Sequence, residues 1–276
     1  MTVFGGENAD SYYDEGVTAS MKGDLEAAVR HFERAIEMDR NHYAAYHQLG
    51  KCHLRLGDAR KAAELLQHVL RNKPTQVQPR LDYAFALMEL GEWKKAQDIF
   101  GEVSREKPNN PRASLGLAYC AFQAGQWDAA MRLAQTAANQ GGGNFAALFL
   151  LGRAAGRAGR AEIAAEAFKK ADAVLETHLE TSPNQPEGHY LRGELHAAQS
   201  SFDKAIEHYA RAAECAQPGR QYSAYDARFN RVDVLCRRAY CLYKIGQREA
   251  ALKIARDVLA EDPDNAWARQ LIQGKQ

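Results

Sequence analysis

The sequence predicts an all-α protein built as a linear array of helical hairpins. The first observation is a period of 34 residues in three independent series of small residues. The series are Gly16, Gly50, Ala84, Ala118 and Gly152, then Gly23, Gly57, Gly91, Gly125 and Gly159, then Ala28, Ala62, Ala96, Ala130 and Ala164. The second observation is the i, i+3, i+4, i+7 spacing of one helical face, shown by Tyr46, Leu49, Gly50 and His53. A lone hairpin of this size cannot bury its apolar face, so we expect neighbouring hairpins to stack.

The same register returns after two longer steps, of 41 and 46 residues. It is recovered at Gly193, Ser200 and Ala205, and again at Ala239, Gly246 and Ala251. We therefore predict seven hairpins that span residues 9–265 and begin near residues 9, 43, 77, 111, 145, 186 and 232. Residues 1–8 are expected to form a disordered leader, and residues 266–276 a C-terminal capping helix and tail.

The two longer steps place surplus residues in two segments. The second helix of the fifth hairpin is expected to continue to about Glu180, because no helix breaker precedes Ser182-Pro183. The segment RQYSAYDARFNR follows Pro218-Gly219 and is amphipathic without a breaker. We expect it to lengthen the first helix of the last hairpin, with Tyr222, Tyr225 and Phe229 as its core; an accessory contact surface is the alternative.

Composition and charge exclude several classes of function. Apolar residues make up 46% of the 276 residues, and the net charge of +1 offers no basic footprint for a nucleic acid. The sequence contains no run of roughly 18 consecutive apolar residues, so we expect no membrane-spanning helix. The N-terminus lacks the pattern of a signal peptide, and the five cysteines form no regular framework. We therefore expect a cytoplasmic protein with reduced, buried cysteines.

Motifs for catalysis or metal binding are missing from the sequence. It contains no Gly-x-Ser-x-Gly elbow, no His-Glu-x-x-His and no phosphate-binding loop. The glycine run at residues 141–143 has no preceding strand and no following Lys-Ser/Thr pair. Because the hairpins are expected to occupy residues 9–265, no room is left for a catalytic domain. The prediction is a protein that is not an enzyme and that uses no cofactor and no metal.

The pattern of the second hairpin identifies the repeat type. Within Tyr43–Gln76, eight residues fall at the signature positions of W-x2-L-G-x2-Y…A-x3-F…P, namely Tyr46, Leu49, Gly50, His53, Ala62, Leu66, Val69 and Pro74. The chain therefore resembles a tetratricopeptide repeat (TPR) protein over residues 9–265. The resemblance implies a right-handed α-solenoid of seven helix-turn-helix hairpins. It also implies that the first helix of each hairpin lines a concave wall, where such proteins generally bind peptides or partner proteins.

The residues expected on that wall lie one step round the first helix from the signature face. The candidate peptide-binding residues are His47, Lys51, Arg55, Leu81, Phe85, Met88, Arg112, Leu115, Tyr119, Phe122, Phe149, Arg153 and Arg157. They predict an aromatic and aliphatic middle flanked by cations, which suits an apolar partner segment that carries acidic residues or a terminal carboxylate. The alternative is that these apolar residues pack between neighbouring first helices and that the arginines are solvated.

Two specialised subclasses of the family are not matched at these positions. The five places of the carboxylate clamp of chaperone-binding members hold His47, Lys51, Asp82, Arg112 and Gly116 when the clamp begins in the second repeat. Beginning in the first repeat, they hold Tyr13, Val17, Gln48, Gln78 and Asp82. An asparagine ladder along the inner wall is missing as well.

The sequence therefore predicts a non-enzymatic scaffold or adaptor that binds a protein or peptide segment in the concave groove. Two alternatives stay open at this point. One is a structural subunit that self-assembles into a homo-oligomer. The other is a co-chaperone or regulatory partner of a separate enzyme.

Overall fold

The computed structural model describes residues 8–224 and 227–274, and these residues divide into two compact units. Unit 1 ends at Gln140 and unit 2 begins at Gly141. The predicted leader lies outside the described residues except for Asn8, and Lys275 and Gln276 of the tail lie outside them as well.

Unit 1 contains four pairs of antiparallel-packed helices. They are α1 (Ala9–Met21) with α2 (Leu25–Met38), α3 (Tyr43–Leu56) with α4 (Ala59–Asn72), α5 (Val77–Glu89) with α6 (Trp93–Glu106), and α7 (Pro111–Gln123) with α8 (Trp127–Gln140). Each helix also packs against the next along the chain, so the pairs stack in sequence order.

Unit 2 contains three pairs, a short β-hairpin and a final helix. The pairs are α9 (Phe145–Arg157) with α10 (Ala161–Thr181), α11 (Pro186–Ala198) with α12 (Phe202–Cys215), and α13 (Arg231–Lys244) with α14 (Arg248–Glu261). Strands β1 (Tyr222–Ala224) and β2 (Ala227–Phe229) are antiparallel, and α15 (Ala266–Ile272) packs on α14. The predicted fold class, an array of seven helical hairpins followed by a capping helix, is confirmed.

Local sequence explains where the helices begin and end. Asp24 and Asp58 each accept a hydrogen bond from a backbone N–H in the first turn of the helix that follows, at 2.9 and 3.0 Å. The turn between the helices of a pair needs a residue at positive φ, which glycine supplies in six of the seven pairs. The sixth pair has Ser200 there, with φ 59°, which is the one non-glycine at positive φ among the described residues.

Where the recurring small residue of the first helix is glycine, it makes room for a large residue of the second helix. A Cβ atom added at Gly16 would lie 2.6 Å from the ring of Phe32, and one added at Gly152 would lie 2.6 Å from the ring of Phe168. Phe32 is fully buried. The 34-residue period of small residues therefore reflects close helix packing inside each pair.

One segment differs from the helix that its amphipathic pattern predicts. Residues 222–224 and 227–229 form the two strands of the β-hairpin, with Tyr222 paired across the strands to Phe229, while the predicted Tyr225 lies outside the described residues. Helix α13 begins only at Arg231, where Asn230 and Asp233 form a reciprocal capping box. The prediction for α10 is confirmed, since this helix extends over 21 residues to Thr181.

Candidate functional site

The first helices of successive pairs in unit 1 lie next to one another. Helix α3 contacts α5, and α5 contacts α7, in addition to the contacts that each makes with its own partner. We call the surface that these three helices share the unit 1 wall. It is defined by His47, Lys51, Arg55, Phe85, Met88, Arg112, Leu115, Tyr119 and Phe122.

The apolar part of the unit 1 wall consists of half-buried side chains. Phe85, Met88, Leu115, Tyr119 and Phe122 all keep part of their surface accessible. The Phe85 ring meets the Phe100 ring edge-on at a centroid distance of 5.0 Å, and Phe122 meets Trp127 in the same way at 5.1 Å. These contacts hold the rings in place while leaving apolar surface available for a partner.

Leu81 does not belong to this surface. Its side chain has an exposed fraction of 0% and lies in the core cluster with Phe100 and Val103. The prediction that Leu81 lines the groove is wrong in this structure, because helix α5 turns that residue toward α6 and not toward solvent.

The buried carboxylate of Asp82 contacts two of the predicted wall residues, Arg112 and His47. Asp82 Oδ1 lies 2.5 Å from Arg112 Nη2, and Asp82 Oδ2 lies 2.7 Å from His47 Nε2. Only 4% of the Asp82 side chain is exposed, whereas 41% of the Arg112 side chain is. Burial raises the pKa of Asp82, but the hydrogen bond from His47 and the charge and hydrogen bond of Arg112 outweigh it, so the pKa falls below its usual value.

This network links three successive pairs, because His47 is on α3, Asp82 on α5 and Arg112 on α7. Arg112 also donates to Gln78 at 2.7 Å, and its guanidinium lies 5.3 Å from the centroid of the Phe85 ring. The arrangement fixes Arg112 against the aromatic part of the wall. It also means that His47 and Arg112 already have a carboxylate ligand within the chain.

The two remaining predicted cations of unit 1, Arg55 and Lys51, differ in their contacts. Arg55 Nη1 donates to the carbonyl oxygen of Ser20 at 3.3 Å and lies 3.4 Å from its hydroxyl oxygen. Lys51 is exposed. The cationic flank predicted from sequence is therefore reduced in unit 1, because most of its members are engaged in contacts within the chain.

In unit 2, the predicted residues Phe149, Arg153 and Arg157 all lie on α9. The Phe149 ring stacks on Phe145 at 5.4 Å and approaches Phe168 at 6.0 Å. The Arg153 guanidinium lies 5.7 Å from the centroid of the Phe149 ring, and both arginines are exposed. Helix α9 therefore also presents an aromatic residue with cations along its first-helix surface.

The β-hairpin covers the corresponding surface of α11. Tyr190 is the fifth residue of α11, as Phe149 is of α9 and Leu115 of α7. The Phe229 ring of β2 stacks on the Tyr190 ring at 3.9 Å with an angle of 12° between the planes, and the Tyr222 ring also stacks with Phe229 at 5.6 Å. Phe229 is fully buried and Tyr190 is 5% exposed. Burial raises the pKa of Tyr190 to about 12.

Polar side chains beside Tyr190 complete this part of unit 2. Glu194 Oε1 accepts a hydrogen bond from the hydroxyl of Tyr209 at 2.6 Å and lies 3.3 Å from Arg237 Nε. Sequence reasoning missed Tyr190, Glu194 and Arg237 as a group. One signal could have found two of them: Tyr190 and Glu194 occupy the same two places in their helix as Phe149 and Arg153 do in α9.

Among residues 8–224 and 227–274, no group of three or more His, Cys, Asp or Glu side chains is arranged to hold a metal ion. None of the described helices combines the length and apolar character needed to span a bilayer.

Sequence comparison identifies the repeats. Three family models described as tetratricopeptide repeat match residues 87–154, 149–220 and 233–265. The chain is a tetratricopeptide repeat protein. A fourth model, described as anaphase-promoting complex, cyclosome, subunit 3, matches residues 21–103 of these tetratricopeptide repeats. No curated protein sequence matches the chain significantly.

Several solved structures share this tetratricopeptide repeat fold. A tetratricopeptide repeat protein from Parabacteroides merdae is 14% identical with a TM-score of 0.58, and the match covers 97% of this chain and 98% of that one. MamA from Desulfovibrio magneticus RS-1 is 22% identical with a TM-score of 0.52, covering 64% and 97%. The APC/C hetero-tetramer Cut9-Hcn1 matches with a TM-score of 0.64 at 16% identity, covering 96% of this chain and 47% of that one. At these identities the comparison shows the fold alone.

Proposed function

We propose that this protein is a non-enzymatic scaffold or adaptor that binds a segment of a partner protein on the unit 1 wall. The observation that carries the proposal is the row of half-buried Phe85, Leu115, Tyr119 and Phe122 side chains on adjacent first helices. Aromatic side chains held in fixed positions are the usual anchors of protein interfaces, since they bury large apolar areas with little loss of side-chain entropy.

The chemistry of the wall defines the partner segment that fits it. Its apolar residues would cover the Phe85 to Phe122 surface, and an acidic residue would lie near the exposed Lys51. A free carboxylate is a weaker candidate for the site between His47 and Arg112, because Asp82 occupies it. Apolar contact is therefore expected to contribute most of the affinity, and charge to contribute orientation and association rate.

A matched pair of double variants tests the proposal. Phe85→Ala with Phe122→Ala truncates the wall, whereas Met21→Ala with Met38→Ala truncates two side chains of unit 1 that are 84% and 46% exposed and lie off the wall. Proteins recovered from native lysate by each bait are compared by quantitative mass spectrometry. We expect a partner that the wild type and the methionine variant recover and that the phenylalanine variant loses by at least about tenfold, a change of about 1.4 kcal/mol.

Circular dichroism and thermal melting establish that both variants keep the helical fold. If the folded phenylalanine variant recovers the same proteins as the wild type, the unit 1 wall is not the binding surface. Sedimentation of the purified chain tests self-assembly into a homo-oligomer. A monomer supports capture of a separate partner, and a stable oligomer supports the structural alternative.

A further inference from the structure

The β-hairpin of unit 2 is not needed to connect the helices that flank it. Helix α13 packs directly against α12 in the same way that the other neighbouring helices of unit 2 pack. Strand β2 of the hairpin contacts α13, and strand β1 contacts α11, the first helix of the preceding repeat. The repeat models that match residues 149–220 and 233–265 also leave the hairpin residues unmatched. It is an addition to the repeat array that lies on a first-helix surface.

Besides the contacts of β1 with α11, the aromatic side chain of Phe229 stacks on that surface. Phe229 is fully buried, and both Tyr190 and Tyr222 stack with its ring. Tyr190 belongs to α11 and occupies the place that Leu115 and Phe149 occupy on α7 and α9. Tyr222 is braced in turn, because its hydroxyl oxygen accepts a hydrogen bond from the backbone N–H of Gln217 at 2.8 Å.

These contacts within one chain resemble the contacts that a bound peptide segment would make with a first helix. An extended segment presents one aromatic ring, and the ring stacks on an aromatic residue of a first helix. We propose that the first-helix surface around Tyr190 is a second interaction surface, that its partner is an extended segment carrying an exposed aromatic residue, and that the β-hairpin occupies it in cis. This inference rests on the proposed function and extends it from unit 1 to unit 2.

The tether makes the hairpin a strong competitor. A segment joined to its site by a short linker has an effective concentration on the order of millimolar. A free segment of the same affinity at micromolar concentration therefore binds the intact protein too little to detect. Removal of the hairpin should make the surface available to such a segment.

The test uses the hairpin's own sequence as the probe. A labelled peptide of residues 217–231, QPGRQYSAYDARFNR, is titrated by fluorescence anisotropy against three proteins. They are the wild type, the Phe229→Ala variant, and a variant in which residues 220–229 are replaced by a Gly-Ser linker. We expect the linker variant to bind the peptide at least tenfold more tightly than the wild type, and the Phe229→Ala variant to show an intermediate gain.

Two controls place the binding at the predicted contact. A peptide with Phe229→Ala should lose the gain, and Tyr190→Ala added to the linker variant should abolish it. The matched control is Tyr240→Ala in the linker variant, because Tyr240 is 40% exposed on α13, and it should leave binding unchanged.

Each other outcome counts against the proposal. If the linker variant keeps its helical circular dichroism and does not bind the peptide, the surface is not an interaction site. If the linker variant loses its helical signal, the same criterion is applied to the Phe229→Ala variant: a folded Phe229→Ala variant that does not bind the peptide shows that the surface is not an interaction site. If both variants unfold, the hairpin is an integral part of the core and not a displaceable occupant. The Phe85 and Phe122 comparison is independent of all three outcomes, so a failure here is distinguishable from a failure of the proposed function.

Discussion

Replacement of Asp82 by asparagine tests whether the buried ionic network stabilises unit 1. The substitution keeps the shape of the side chain and removes its negative charge. A hydrogen bond to a charged group contributes about 1.5–3 kcal/mol, and loss of one member of a buried pair costs about 3–5 kcal/mol. Arg112 is 41% exposed and His47 is 16% exposed, so solvent compensates part of the loss. We expect a decrease of about 1–2 kcal/mol in the free energy of unfolding.

The lowered pKa of Asp82 also predicts how the stability difference between the wild type and the Asp82→Asn variant depends on pH. The pKa of Asp82 is lowered in the folded protein, so its contribution is fully present above the pKa of the unfolded chain, about 3.9. It is lost as the pH falls through the lower pKa of the folded state. The wild type should therefore be more stable than the Asp82→Asn variant at pH 7, and the difference should shrink toward about pH 2.

Denaturant unfolding followed by circular dichroism measures both quantities. Glu102→Gln is the matched control in the same unit, because Glu102 forms an ion pair with Arg80 at 3.0 Å but is 53% exposed. It should change the free energy of unfolding by less than about 0.5 kcal/mol. A difference between wild type and Asp82→Asn that is as large at pH 2 as at pH 7 would show that charge is not its source.

Two further predictions concern packing and histidine protonation. Gly116→Ala should lower the free energy of unfolding by about 1–3 kcal/mol, since its Cβ would lie 2.4–2.5 Å from three ring atoms of Phe100. A Cβ atom added at Gly101 in α6 would have no neighbour within 4 Å. Gly101→Ala should therefore raise the free energy of unfolding by up to about 1 kcal/mol in the same denaturant assay. Equal effects of the two substitutions would refute the packing argument. Burial, followed by the nearby Arg192 charge, lowers the pKa of His208 to about 4, so stability should fall between about pH 6.5 and pH 4 as the unfolded chain takes up the proton first. His208→Phe should make that fall smaller, and an unchanged pH profile would count against the low pKa.

The repeat pattern was sufficient to predict the fold because its cause is local. In four pairs a glycine on the first helix faces a large residue 16 positions later, as Gly16 faces Phe32 and Gly152 faces Phe168, and both residues belong to one hairpin. The period of the array follows directly from this pairing. The helix-capping residues are local in the same sense, and Asn230 with Asp233 could have placed the start of α13.

The β-hairpin and the ionic network could not be predicted from such patterns. Phe229 is held by Tyr190, which lies 39 positions earlier in the chain and in another repeat. The spacing of Tyr222 and Phe229 fits one helical face equally well, so the pattern within the segment does not distinguish the two structures. In the sequence, Asp82 stands out only as a departure from the carboxylate clamp. Its partners His47 and Arg112 become apparent once neighbouring repeats are placed side by side.

Ser200 has a consequence for how the array of unit 2 opens. A non-glycine residue held at positive φ carries a conformational cost of about 1 kcal/mol or more, and the other six turns between paired helices avoid it with glycine. In a protein whose repeats contact only their neighbours, cooperative opening begins at the repeat with the lowest intrinsic stability. The strained turn joins α11 to α12, and α11 is the helix that the hairpin covers. Transient opening of this one repeat would free the Tyr190 surface and the hairpin together, which couples local folding stability to access at that surface.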